Sequence, residues 1–255
     1  MKKILSILSA LLFGNLLAAQ ISTGLQLHYS FEADADDATL VRNAAGSGYN
    51  GILVGGAALK KLKDFNVVAL GSSNGYVDMG VETGNLIASL EDFSIATNLY
   101  IEAGSSITGN GNFVWAFSTG SACTQTDGKY VAYRVNAQRY AQSTGGWGSE
   151  RVGIEKGAAA TKGVWQHIAY VQSGSVGTLF LNGEALATGA ASLCPKDIGQ
   201  ATLYNWIGRP HFSSDAYLQG AWLNDFRIYN RALTPSEAAQ LAANTDALNA
   251  AYAEQ

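Results

Sequence analysis

The chain has 255 residues, 47% of them hydrophobic and only 14% charged, with 29 Gly and 3 Pro. That length suits one large all-β domain or two small ones, and so little charge argues against a solvated, disordered chain. The formal net charge is −4 and the only basic cluster is Lys60, Lys61 and Lys63, so the phosphate-facing patch of a nucleic-acid binder is missing.

The first element is a leader. Residues 1–19 read as a basic tip (Lys2, Lys3), an apolar stretch from Ile4 to Leu17, and Ala18-Ala19 before Gln20. That is the layout of a secretory signal peptide with small residues at the cut. The apolar stretch is short for a membrane span of ~20 residues and is broken by Ser6, Ser9, Gly14 and Asn15. No later segment approaches a span, so the mature protein is expected to be exported, to the periplasm, the cell surface or the medium.

Period-two alternation then recurs along the chain. Leu25, Leu27, Tyr29 and Phe31 share one face, as do Phe93, Ile95, Leu99 and Ile101, and Phe113, Trp115 and Phe117. Trp165 to Val171 is apolar on nearly both faces, which predicts a central strand. Thr178 to Leu181 runs into Asn182-Gly183 and then Glu184 to Ala187, a strong hairpin signal because both turn residues tolerate positive φ. Leu203 to Ile207 and Ala221 to Tyr229 supply two more strands. No repeat or linker interrupts them. The pattern predicts one all-β antiparallel sandwich over residues 20–233. A helical tail follows over residues 234–255: Thr234-Pro235-Ser236-Glu237 is a capping box with Pro at the first helical position. Asn244 and Asp246 are expected to interrupt that helix, leaving the tail as a second turn of helix or as a frayed end.

Two cysteines, Cys123 and Cys194, lie in loop-like stretches. In an exported protein an even count favours a disulfide over two free buried thiols. Closing a loop of about 70 residues would stabilise the fold by roughly 4 kcal/mol. No CxxC is present and the three histidines are far apart, so a Cys/His metal site is not expected.

Three segments together resemble the laminin-G-like branch of the concanavalin A-like lectin/glucanase superfamily. They are Leu27 to Glu32 followed by Ala45 to Gly51; Trp165 to Tyr170 with the Leu179 to Gly183 hairpin; and Ile207-Gly208-Arg209 with Leu223 to Thr234. Phe113 to Ser118 and Tyr204 to Pro210 are similar in particular to accessory modules of exported Bacteroidota glycoside hydrolases, although no catalytic domain is expected to follow. The resemblance implies a jelly-roll sandwich. It also implies a structural calcium where the first and last strands meet, with Glu32 and Asp225 as side-chain ligands helped by carbonyls near Gly48 to Asn50. The alternative is that Asp225 pairs with Arg227 or Arg231.

Glucanases of that superfamily carry paired carboxylates on one strand face, and retention needs them about 5–5.5 Å apart. The nearest match, Glu32-Ala33-Asp34-Ala35-Asp36, leaves the first strand and lacks flanking aromatics, so an acidic exposed loop is expected and catalysis is not. Sugar binding needs an apolar face for C–H groups and fixed polar groups for hydroxyls. Trp147, bracketed by Gly145, Gly146 and Gly148, is the candidate platform, with loop anchoring as its rival role. Tyr133 and Arg134 come from the same region, and Arg209, His211 and Asp215 from a later loop. Trp147 and Arg209 are expected to act as one site. Trp115, Trp165, Trp206 and Trp222 read as core, and His28 and His167 as hydrogen-bonded strand histidines. The reading is a non-catalytic, lectin-like carbohydrate-binding module for a polysaccharide or glycan, plant cell wall being one source; an adhesive protein-binding module and a glycoside hydrolase are the alternatives.

Overall fold

The computed structural model describes residues 21–254; the expected leader lies outside them. In chain order the strands are β1 (Leu25–Tyr29), β2 (Leu40–Val41), β3 (Gly51–Val54), β4 (Ala58–Leu62), β5 (Phe65–Ala69) and β6 (Tyr76–Asp78). After a short helix α1 (Thr83–Ile87) come β7 (Phe93–Ile101), β8 (Phe113–Ser118), β9 (Tyr130–Arg134), β10 (Arg139–Ser143) and β11 (Arg151–Glu155). They are followed by β12 (Trp165–Ser173), β13 (Val176–Leu181), β14 (Glu184–Ala190), β15 (Tyr204–Ile207) and β16 (Ala221–Tyr229). Two helices, α2 (Pro235–Leu241) and α3 (Thr245–Ala253), close the described chain.

The strands form two antiparallel sheets of eight. The first runs β14-β13-β12-β7-β16-β5-β4, with β1 also paired to β16; the second runs β11-β10-β9-β8-β15-β6-β3-β2. The core lies between them and is built on the alternation visible in the sequence: Leu27, Tyr29, Ile95, Leu99, Trp115, Phe117, Tyr140, Tyr170 and Phe226. Each such side chain taken out of water contributes roughly 1.5–3 kcal/mol. β12 lies inside its sheet, as its two-faced hydrophobicity predicts. Asn182 and Gly183 turn the β13–β14 hairpin with φ of 51° and 83°, the pair of positive angles that such a two-residue turn requires.

The C-terminal helices cover part of the outer face of the first sheet. α3 brings Leu248, Ala251 and Tyr252 onto Tyr100, Trp165 and Trp222, and the Tyr100 and Tyr252 rings are 4.2 Å apart. α2 packs Ala238 and Leu241 on Ala169 and Phe180. The predicted capping box forms: the Glu237 amide donates to Thr234 Oγ1 at 3.3 Å, and the Thr234 amide to Glu237 Oε2 at 2.7 Å. Arg231, at the end of β16, adds two parallel bonds to the buried Glu237 carboxylate, at 2.6 and 2.9 Å. The helix is thereby fixed to the sheet by charge as well as by packing.

The expected disulfide is not formed; both thiols are free. Cys123 packs on the outer face of the second sheet with Phe113, Ala116, Tyr130 and Ala132, and its thiol donates to the Gly120 carbonyl. The Cys194 carbonyl accepts from Gln142, which lies on the inner-face register of β10 with Tyr140, and the Cys194 amide is held by Asp197 at 2.7 Å. The second sheet therefore stands between the two sulfurs.

Candidate functional site

Register brings a row of small side chains across the outer face of the second sheet. Ala141 pairs with Ala132, Ala132 with Ala116, and Ala116 with Trp206. The segment after β15 folds back over that row. Phe212 packs against Phe113 and Tyr130, and His211 is enclosed between them, 4.2 Å from the Tyr130 ring and 4.1 Å from Phe212. The segment is pinned at Ala216, whose carbonyl accepts the Asn112 amide at 2.8 Å. Gly111 permits this approach: its φ is 92°, and a Cβ there would come within 2.3 Å of the Ala216 oxygen.

The folded-back segment leaves a cleft on each side. One, of about 430 Å³, is lined by Asn110, Arg134, Trp147, Glu150, Ser213 and Asp215, among others. The other, of about 570 Å³, is lined by Asn74, Glu102, Ser106, Asp215, Tyr217 and Gln219, among others. Asp215 belongs to both.

Trp147 opens a short helical turn, Trp147–Ser149, after β10. Its backbone is tightly held: the Gly146 amide donates to Gly128 at 2.7 Å, that of Trp147 to Thr124 at 3.0 Å, and that of Gly148 to Gln125 at 2.9 Å. Gly146 has φ 71° and lies so close to residues 125 and 127 that no side chain fits there. Trp147 as a residue is 52% exposed. A fixed backbone carrying a free apolar face loses little entropy when a ligand stacks on it.

Around the indole the charges divide into paired and unpaired. Glu150 accepts from the Tyr130 hydroxyl at 2.6 Å and forms an ion pair with Arg139. Arg134 and Asp215 line the same cleft, yet among the described residues neither side chain has a hydrogen bond or an ion pair, and the Arg134 Nε is buried without a partner. Burial raises the Asp215 carboxyl above its ordinary value and the nearby Arg134 charge partly offsets this. A guanidinium and a carboxylate without partners therefore line one cavity.

The structure thus brings Arg134, Trp147 and Asp215 of the predicted residues together and withdraws the others. Tyr133 is fully buried and stacks on Trp115 in the core, with ring centroids 4.8 Å apart, because strand parity turns it inward. His211 is fully buried too; desolvation pushes its pKa down to about 3, leaving a neutral ring under the loop rather than a ligand group. Arg209 does not join Trp147. Its guanidinium lies 3.8 Å from the Trp206 ring centroid and donates to the Tyr76 hydroxyl at 2.7 Å, covering an aromatic patch. Glu150, Asn110 and Ser213 carry no signal in the sequence pattern; they come from three separate loops that only the fold brings together.

The paired-carboxylate reading of Glu32, Asp34 and Asp36 fails geometrically, since β1 ends at Tyr29 and no strand carries these residues. Asp34 is instead held by Arg42 and by the Asp36 and Asp37 amides, which lower its pKa. The calcium ligands expected by resemblance do not fit a cation either. Asp225 lies at φ 61° in a bulge of β16, and its Oδ1 takes both His28 Nε2 and Arg227 Nε. The Gly48 carbonyl accepts from Asn43 Nδ2 at 2.9 Å, and the Tyr49 carbonyl from the Tyr29 hydroxyl at 2.7 Å. Glu32 is exposed and apart from them. Among the described residues no three His, Cys, Asp or Glu side chains cluster to hold a metal, and no helix is long and apolar enough to cross a membrane.

The two-sheet sandwich with its loop-built clefts has a family. Residues 70–239 match the model of the concanavalin A-like lectin/glucanases superfamily, and the chain belongs to that family. No curated relative matches it. Among solved structures it is similar to domain 4 of AbnA, an extracellular arabinanase of Geobacillus stearothermophilus in complex with arabinotriose. The TM-score there is 0.64 at 16% identity, over 86% of this chain and 98% of that one. It is also similar to botulinum neurotoxin type C, whose cell entry depends on interaction with two ganglioside molecules, with TM-score 0.61 and 16% identity over 91% of this chain and 53% of that one. A third likeness is to a Trypanosoma rangeli sialidase, with TM-score 0.57 and 13% identity over 89% and 34%. The chain thus spans nearly all of the first structure but only about half and a third of the other two. At these identities the likeness is one of fold.

Proposed function

We propose that the protein is a non-catalytic carbohydrate-binding module, exported on its N-terminal leader and acting on polysaccharide outside the cytoplasm. The observation that carries the reading is the cleft in which a half-exposed Trp147 on a rigid backbone stands beside an unpaired Arg134 and an unpaired Asp215. Trp147 supplies the stacking face for pyranose or furanose C–H groups. Arg134 donates to, and Asp215 accepts from, ring hydroxyls, while Ser213 and Asn110 supplement them. Support comes from the family and from structural neighbours that include an arabinotriose complex and a ganglioside-dependent toxin. Paired and hydrogen-bonded Glu150 suits a wall of the site rather than an acid catalyst.

The test is affinity electrophoresis against arabinan, galactan, xylan, pectin and immobilised ganglioside, followed by calorimetry on whichever is retained. A single site of this kind binds at roughly 0.1–1 mM, about 4–5.5 kcal/mol. Retention lost in Trp147→Ala, with no reducing ends released, is the expected result. No retention on any glycan refutes the proposal, and release of reducing ends refutes its non-catalytic part.

A further inference from the structure

The two clefts and their charges narrow the ligand, taking the sugar-binding reading above as the premise. Each cleft falls within the roughly 300–1,000 Å³ of ordinary small-molecule sites, and Asp215 lines both. Each also carries an aromatic side chain: Trp147 in one, Tyr217 in the other. Such a double bay is larger than one sugar needs. The segment pinned at Ala216 runs between the halves as a low sill, with Asp215 on it.

The charge is one-sided. The larger cleft has two acids, Glu102 and Asp215, among its lining residues and no basic one; a neighbouring cation, Lys162, is committed to the Ser105 carbonyl at 2.9 Å. Glu102 accepts from the Trp222 indole at 3.3 Å and has no cationic partner among the described residues. In the smaller cleft Arg139 already neutralises Glu150, which leaves Arg134 against Asp215. A uronate or sialate laid across both bays would set its carboxylates against two acids with one arginine to offset them. Arg209, the other arginine of the predicted site, is turned away onto Trp206.

We infer that the ligand is a neutral oligosaccharide of more than one unit, one end stacked on Trp147 and the other reaching past Asp215 into the Tyr217 cleft. Its hydroxyls satisfy Asp215 from both sides. Acidic glycans are selected against by Glu102 and Asp215.

Calorimetry with fragments of arabinan, galactan, xylan and β-glucan, one to five units long, tests the length; oligogalacturonides of matching size and sialyllactose test the charge. The expected result is at least a tenfold gain in affinity between one unit and three in a neutral series, and at least tenfold weaker binding of acidic fragments. That gap shrinks as salt is raised from 0.1 to 1 M, where the Debye length falls from about 10 to about 3 Å. Ser106→Trp, a change at an exposed residue lining the Tyr217 cleft, should erase the gain with length without lowering Tm. Asp215→Asn should narrow the neutral-to-acidic gap. Affinity flat from one unit to five, unaltered length dependence in Ser106→Trp, or acidic fragments bound as tightly as neutral ones would each overturn the inference while leaving sugar binding in place. Absence of binding to every fragment and polysaccharide overturns the premise instead.

Discussion

Replacing Trp147 by Ala separates recognition from packing more sharply than any other single change. A tryptophan in the core typically costs about 3–5 kcal/mol when truncated to Ala. Trp147 has half of its surface in water and its backbone is held by three main-chain bonds that survive the substitution. The stability loss should therefore stay near 1 kcal/mol, which for a chain of this length lowers Tm by roughly 2–4 °C. On the binding side, truncating a central stacked aromatic costs about 2 kcal/mol or more, close to a thirtyfold loss of affinity. Differential scanning fluorimetry and calorimetry on the same preparation read both numbers. Trp115→Ala is the control, because Trp115 is fully buried and stacks on Tyr133; it should cost the full core penalty. A Tm drop in Trp147→Ala comparable to that of Trp115→Ala, or affinity within threefold of the parent, would refute the assignment.

Buried histidines set a second expectation. Desolvation lowers His167 to about 4 and His211 to about 3, below the unfolded value of about 6.5, so unfolding takes up protons below neutrality and stability rises with pH through that window. Between pH 6.5 and 5 each histidine should remove on the order of 2 kcal/mol from the unfolding free energy, measured by urea melts at several pH values; His211→Phe should flatten the slope, and an unchanged slope in that variant would show the ring to be solvated. Because both thiols are free and burial raises Cys123 to about 11, Tm should be the same with and without reductant, and Cys123 should react with a thiol reagent only after unfolding. Removing the buried Glu237 carboxylate from the part-exposed Arg231 by Glu237→Ala should destabilise by roughly 2 kcal/mol in the same urea melts. Since the pair holds Glu237 below its ordinary pKa, its contribution is present above the usual carboxylate range and disappears as pH falls below it; equal melts for parent and variant at pH 7 would count against this.

The sandwich is legible in the sequence wherever one strand face is buried and the other differs from it. The β1 residues Leu27 and Tyr29, and Trp115 and Phe117 of β8, follow the alternation, and the Asn182-Gly183 turn and Thr234 cap depend only on local chemistry. The short strands β2, β3 and β4, at or next to a sheet edge, are not legible, because a strand of two to five half-covered residues has too few positions to show a period. The binding cleft was half legible. Trp147 announces itself through its glycines. The juxtaposition of Arg134 and Asp215 does not, because it arises from residues 81 positions apart brought to one cleft only when the segment after β15 folds over the sheet. Tyr133 and Arg134 are neighbours in sequence and point to opposite faces, so choosing between them requires the strand register. The cysteine count misled for a related reason: parity of number says nothing about which side of a sheet each sulfur occupies.

The row Ala141–Ala132–Ala116 leading to Trp206 is crossed by the loop carrying His211 and Phe212, with Arg134, Arg139 and Glu150 beside Ala132 and Ala141 and Arg209 over Trp206. Those alanines form a smooth floor, and the loop acts as a removable dam across it. Because the floor belongs to paired strands and the dam does not, the loop can lengthen, shorten or change composition without disturbing the core between the sheets. A short dam would turn two bays into a single open trench able to pass a polymer lengthwise, with Trp206 as its paving once Arg209 is drawn off. On the proposed reading, ligand preference in this architecture is written in the segment between β15 and β16, while the paired strands beneath it keep their register.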